Sequence, residues 1–271
     1  MKLLLYLSYV GTAYCGYQVQ KNKPTIQREL NRAAEELFGF PCDIVGCSRT
    51  DAGVHARMFC ATVSQKGALN LPFTIPVERV PRAMTMHLPT DISVFDAYAV
   101  ADSFHPRYTV VEKEYEYRID CRAVRDPFEE NRSWHVPFPL KEDSLARMQL
   151  AAQAFVGTHD FSAFMAQGSK IRDAVRTVTE SRVEQNGSVL SFFVSADGFL
   201  YNMVRIMAGT LLEVALGHLE PSAVPDIIAS CDRSLAGRTA PPQGLYLNRV
   251  SYGDGCLTGS GAEDEENATT A

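Results

Sequence analysis

The spacing of apolar and polar residues divides the chain into short elements. Residues 3–10 form an apolar run that predicts a first strand. From Thr25 to Phe38 the period lengthens. Ile26, Leu30, Ala33, Ala34 and Leu37 fall on one helical stripe, with Thr25 as N-cap and Gly39 as stop. Ile44-Val45 and Met58–Val63 read as strands on either side of a stretch rich in small and polar residues, hence a loop. Residues 66–90 are Pro-rich and mixed and yield no element; strand character resumes at 91–94. Between Val110 and Asp120 the chain alternates. Tyr115, Tyr117 and Ile119 share one face, and Glu114, Glu116 and Arg118 the other. A second helix is predicted over 144–156, with Leu145, Met148, Ala152 and Phe155 inward. Asn186-Gly187 predicts a type I′ hairpin pairing 177–184 with 188–196. A third long helix follows Asp197-Gly198, with Met203, Met207, Thr210, Leu211 and Val214 as its stripe and Gly217 as its end. A short helix at 222–231 and a strand at 244–250 close the chain. Strand-helix-strand-strand, given twice, predicts an α+β fold of two similar lobes, residues 1–105 and 106–252.

Composition narrows the setting. A chain of 271 residues, 46% hydrophobic, can bury a sizeable core. The net charge of −6 argues against a generally basic nucleic-acid binder. Five acids after Tyr252 account for most of it, however, leaving −1 for residues 1–252. A near-neutral body can carry a local basic stripe of the kind phosphate binding needs, and Lys170, Arg172 and Arg176 are the candidate cluster. Residues 253–271 read as an acidic, disordered tail. The seven cysteines are scattered and lack a C-x-x-C pair, which suits reduced thiols in the cytoplasm and no zinc site. Met1–Leu7 is too short for a signal-peptide core, and no run is long enough to span a membrane.

The loop between 46 and 56 concentrates chemistry: a carboxylate at Asp51, a guanidinium at Arg49, an imidazole at His55, and two glycines. Thr-Asp-Ala-Gly alone is also an ordinary turn. Arg49-Thr50-Asp51-Ala52-Gly53-Val54-His55-Ala56, however, resembles the signature of the tRNA pseudouridine synthase A family. Further blocks agree: Gly11-Thr12-Ala13-Tyr14-Cys15-Gly16-Tyr17-Gln18, Phe104-His105-Pro106-Arg107, Lys113-x-Tyr115-x-Tyr117, Gly157–Phe164, Phe199–Arg205 and Gly244–Val250. The resemblance covers nearly all of 3–252. Val10 departs from it, standing where the family usually has Asp.

The resemblance implies two ferredoxin-like, RRM-like lobes joined in one mixed, mainly antiparallel sheet with a central cleft. It implies isomerisation of uridine to pseudouridine at tRNA positions 38 to 40 of the anticodon stem-loop, by a homodimer. Asp51 is then the catalyst, Tyr115 stacks on the target base, Arg205 pairs with Asp51, and Arg49 guards the space the base leaves. Arg107 is assigned to a phosphate, Asp160 and Ser162 to tying a turn, and His105 to structure. The reaction breaks N1–C1′, turns the base and joins C5 to C1′, so it calls for no cofactor and no metal. The base must leave its stack first. The carboxylate either attacks C1′ or removes the 2′ proton; the sequence does not choose. Two rivals stand beside this reading. A pair of RNA-binding lobes without chemistry would use Tyr6, Tyr9 and Tyr115 as platforms, but lacks the RNP1 pattern. A glycosidase normally needs two carboxylates, and the motifs offer one.

Overall fold

The computed structural model describes residues 1–68, 71–72, 74–137, 141–168 and 173–253. The first half runs β1 (Lys2–Tyr9), α1 (Ile26–Phe38), β2 (Cys42–Gly46), β3 (His55–Gln65), α2 (Val80–Met86) and β4 (Ile92–Val100). The second runs β5 (Val110–Asp120), β6 (Trp134–His135), α3 (Ser144–Gln153), β7 (Gly157–Asp160), β8 (Val175–Asn186), β9 (Val189–Ala196), α4 (Met203–Leu216), α5 (Ala223–Ser230) and β10 (Leu245–Tyr252). Among the described residues these strands form one sheet ordered β4-β1-β3-β10-β5-β9-β8-β7, with β2 also on β3 and β6 on β5. Within the first half, β1-α1-β2-β3-α2-β4 has the spatial order β4-β1-β3-β2. Within the second, β5-α3-β8-β9-α4-β10 has the order β10-β5-β9-β8. Both are the same ferredoxin-like plan. The sheet is mixed and mainly antiparallel, as expected.

The seam between the halves positions everything that follows. The last strand, β10, lies antiparallel on β5 and parallel on β3, where Tyr246 faces His55 and Leu247 faces Ala56. The far end of β3 takes β2 instead, from Ala61 to Gln65. The loop joining β2 to β3 therefore hangs over the seam. From the other half, α4 packs on β5 and against α3. It is buried on nearly all sides, from Met203 and Val204 through Met207 and Leu211 to Val214 and Ala215. Such a helix is held by surrounding core rather than by one face. In contrast, α1 buries only its stripe, Ile26, Leu30, Ala33 and Ala34.

Local expectations hold in the main: Thr25 takes the N-cap position of α1 without a side-chain capping bond, α3 stops at Gln153, short of the expected 156, and three differences are larger. A seven-residue α2 occupies part of the unread 66–90 segment; Pro81, which reads as a breaker, sits in its first turn, where its missing N–H is no loss. The hairpin turn is Gly187-Ser188, not Asn186-Gly187: Asn186 pairs with Val189, and Gly187 alone has positive φ, at 58°. A glycine at the first central position with an ordinary second residue is the II′ pattern, which spares Asn186 the left-handed region. Finally, Glu114 and Glu116 are buried despite lying on the polar face of β5. Arg182 pairs with Glu114, and Arg57 and Arg118 with Glu116. Buried charges survive only when paired. No helix among the described residues is long and apolar enough to cross a membrane.

Candidate active site

The β2–β3 loop takes its shape from the N-terminal turn. The Thr50 carbonyl accepts from the Tyr17 amide at 3.1 Å, and the Tyr14 carbonyl accepts from the Gly53 amide at 3.3 Å. The Thr50 hydroxyl bonds that of Tyr9 at 2.8 Å. Gly11 lies so close to the loop that a Cβ there would sit 1.9 Å from the Val54 carbonyl oxygen, so only glycine fits. Gly53 completes the bend at φ 79°. His55 pins the loop's exit, its Nδ1 accepting from the Gly11 amide at 3.1 Å while Nε2 lies 3.1 Å from the Gln243 carbonyl. Burial lowers its pKa to about 4, so it stays neutral and its Nε2–H donates. The N-terminal glycine turn is thus the mould of the Asp51 loop. At Val10 the backbone still ties the turn, donating to the Asp91 carbonyl at 2.9 Å.

Asp51 projects from this mould toward α4. Its Oδ2 accepts from Arg205 Nη1 at 3.2 Å, with the Arg205 side chain 15% exposed and that of Asp51 36%. Arg205 reaches across the seam because three acceptors hold it: Asp51, the Ala240 carbonyl on Nε at 2.7 Å, and Asn202 Oδ1 on Nη1 at 2.7 Å. Asn202 is the residue before α4 and has left-handed backbone at φ 60°. Its side chain holds Arg205 instead of capping the helix, which an Asn there normally does. Burial raises the Asp51 pKa above the usual carboxylate value, and the Arg205 charge and hydrogen bond oppose that rise. The result is a poorly solvated carboxylate with one oxygen paired and Oδ1 without a donor among the described residues.

A cavity of about 290 Å³ opens in front of Asp51. Its walls include Ser48, Arg49, Arg107, Lys113, Tyr115, Phe199 and Arg205. Tyr115 is buried; its hydroxyl bonds Ser48 at 3.2 Å and its ring meets Phe199 edge-on at 4.9 Å. Burial pushes the phenol pKa well up, so it carries its proton at neutral pH. Lys113 Nζ donates to the Cys47 carbonyl at 2.9 Å, tying β5 to the start of the loop. Four cations and one carboxylate line this space, on a chain of net charge −6. A larger cavity, about 560 Å³, lies elsewhere, beside Arg57, Arg118 and Arg132; it contains neither Asp51 nor Tyr115.

The structure thus brings together Asp51, Arg49, Tyr115, Arg205 and Arg107. Arg176 lies apart from the cavity, against Gly198 at the foot of the 197–202 segment. Lys170 and Arg172 lie outside the described residues. Asp160 Oδ1 accepts from the Ser162 amide and hydroxyl, tying the expected turn. Sequence reasoning missed Asn202, Lys113, Phe199 and the Ala240 carbonyl. The first three sit inside blocks already singled out; the carbonyl has no signature of its own.

The sequence has recognisable relatives among known proteins. The sequence model of a family described as tRNA pseudouridine synthase matches residues 6–109 and 151–253. A tRNA pseudouridine synthase A of Moorella thermoacetica is 44% identical over 252 residues, covering 92% of this chain and 99% of that protein. Those of Thermoanaerobacter sp. (strain X514) and Acetivibrio thermocellus are each 42% identical, over 250 and 249 residues, covering 92% of this chain and 99% and 98% of their own. The chain belongs to the tRNA pseudouridine synthase family.

Proposed function

We propose that this protein converts uridine to pseudouridine in the anticodon stem-loop of tRNA, at positions 38 to 40, with Asp51 as its catalytic carboxylate. The observation that carries the reading is Asp51 itself, held by Arg205 at the wall of a cavity that also contains Tyr115. Among the described lining residues Asp51 is the only carboxylate. That suits isomerisation at one C1′ and not the two-carboxylate chemistry of a glycosidase.

Each part follows from its surroundings. The flipped base enters the cavity and lies against the Tyr115 ring, which burial and Phe199 keep from turning. Asp51 acts through Oδ1, the oxygen Arg205 leaves open, either on C1′ or on the 2′ proton. Arg205 favours the ionised carboxylate, opposing the pull of burial. The Tyr115 hydroxyl, protonated and aimed at Ser48, can donate to or relay a proton from C5. Arg107, exposed at the mouth, takes a phosphate of the bound RNA, and Arg49, exposed beside it, guards the space the base leaves and reaches the same phosphate.

We further place the enzyme in the cytoplasm, acting as a homodimer whose second subunit supports the tRNA. Sedimentation with and without tRNA tests the dimer. The function is tested by incubating the protein with unmodified tRNA, without cofactor, and locating pseudouridine by nucleotide. Its appearance at any of positions 38 to 40 supports the reading; unmodified product throughout contradicts it.

A further inference from the structure

A second cavity, about 190 Å³, adjoins the first. Ser48, Arg49 and Arg107 line both, so these side chains form the partition. The second cavity is otherwise walled by Tyr17, by the strand from Ile44 to Gly46, and by His105 and Tyr108. Two of its features have no use in the chemistry described above, and a third, the partition, joins them to it.

The first is the Tyr17 hydroxyl. Its ring is 3% exposed and stacked on Phe59 at 4.4 Å. Its oxygen lies against Gly46, buried and without a hydrogen-bond partner among the described residues. Leaving a buried hydroxyl unpaired is costly, and proteins seldom do so without cause. The second is Tyr108, 78% exposed and stacked at 4.3 Å on His105. His105 Nδ1 accepts from the amides of Arg107 and Tyr108, which fixes the platform while leaving the outer side of the Tyr108 ring open. The third is the partition. Neither Arg49 nor Arg107 has an ion-pair partner among the described residues. A stacking face, an unpaired polar group and two unpaired guanidiniums are what a single-stranded nucleotide needs.

Consecutive nucleotides are joined by one phosphate. A strand that delivers one base to the Asp51 cavity carries that phosphate across the partition and brings its neighbour to the second cavity. We propose that the second cavity receives the base of the nucleotide next to the target uridine, stacked on Tyr108, with the linking phosphate on Arg107 and Arg49. The inference rests on the tRNA-modifying reading above and adds a second base site to it. The Tyr17 hydroxyl supplies the polar contact to the base edge. A hydroxyl both donates and accepts, and stacking tolerates every base. The site therefore senses that a neighbouring base is present, not which one it is. It secures the strand on both sides of the partition while the target is turned.

The test is a cycle on short anticodon stem-loop RNAs carrying an abasic nucleotide on the 5′ or the 3′ side of the target. The readouts are kcat/KM for pseudouridine formation and Kd by fluorescence anisotropy. For the wild type, removing the base on one side lowers kcat/KM about tenfold, whereas exchanging that base for another changes it under about threefold. Tyr108→Ala loses about tenfold on intact RNA and nothing more on the abasic RNA. Tyr17→Phe loses about three- to tenfold on intact RNA, with no fall in melting temperature, because the hydroxyl it removes has no partner in the free protein. Losses that multiply, with Tyr108→Ala as sensitive to the abasic RNA as the wild type, overturn the inference. So does a wild type indifferent to abasic nucleotides on both sides. If the wild type makes no pseudouridine on intact RNA, the reading it rests on fails first and takes this with it. Turnover on intact RNA without the coupling refutes the second site alone.

Discussion

Replacing Arg205 separates a carboxylate partner from an RNA contact. Its guanidinium and the Asp51 carboxylate are 3.2 Å apart, with 15% and 36% of the side chains exposed. Two charges at about 4 Å attract by ~4 kcal/mol at a dielectric of about 20 and ~1 kcal/mol in bulk water. Partial exposure puts this pair between those limits, at about 1–3 kcal/mol. Arg205→Met also strips the donor from the Ala240 carbonyl and from Asn202. At about 0.5–1.5 kcal/mol for each lost bond, the total loss of stability is about 2–6 kcal/mol. Turnover is lost as well. Arg205→Lys keeps the charge but not the fork, so it holds one acceptor where Arg holds three. It should fold and retain part of the activity. The assay is the pH profile of kcat/KM. Burial already raises the Asp51 pKa, and Arg205 is what opposes it. With Lys in its place the carboxylate takes up its proton more readily, so the acidic limb moves to higher pH. An unmoved limb, with only the salt dependence of RNA binding altered, would place Arg205 on a phosphate and refute the pairing.

Four more outcomes follow from the same geometry. Asp51→Asn abolishes turnover and leaves tRNA affinity within a few-fold. The wild type gives up stability as pH rises through the raised Asp51 pKa, so the melting difference between the two proteins should shift in the Asn variant's favour from acid toward neutral pH; a constant difference contradicts that assignment. Tyr115→Phe keeps binding and loses most of the rate, while Tyr115→Leu also weakens binding, by about 1–3 kcal/mol; equal turnover by Phe and wild type would end any proton role for the hydroxyl. His55 is buried neutral with its pKa lowered to about 4, so its contribution is full above the ordinary histidine pKa and drains away as pH falls from about 6.5, by about 3 kcal/mol. Denaturant melts across that range should show the loss in wild type and a flatter curve in His55→Gln. Arg49→Ala and Arg107→Ala should each reduce the slope of log affinity against log salt by about 0.7–0.9; an unchanged slope puts the RNA elsewhere.

Much of this was legible before folding, where local rules govern. The α1 stripe, the α4 stripe and the Gly39 and Gly217 stops follow from period and cap chemistry, and each lies where expected. The polar face of β5 misled because alternation tells which residues share a face, not what covers it. Arg57 from β3 and Arg182 from β8 cover Glu116 and Glu114, and neither is near them in sequence. Asp51, Tyr115 and Arg205 came from contiguous motifs. Their supports did not, because they act through backbone and long separations. The Ala240 carbonyl, the left-handed Asn202 and the Gly11 contact with Val54 appear only once β10 has brought the halves together. The charge cluster at 170–176 stood out by composition. The cations at the cavity mouth, Arg49 and Arg107, which have no ion-pair partner among the described residues, are dispersed along the chain and gathered only by the fold.

The central claim is that Asp51 drives uridine isomerisation in a site built by both halves of the chain. Its most direct measurement is pseudouridine formed in unmodified tRNA by wild type and by Asp51→Asn, with equal RNA binding established for both and no cofactor supplied. The account predicts full conversion of a uridine in the anticodon stem-loop by the wild type and none by the variant. Pseudouridine from the Asn protein, or none from the wild type, would contradict it.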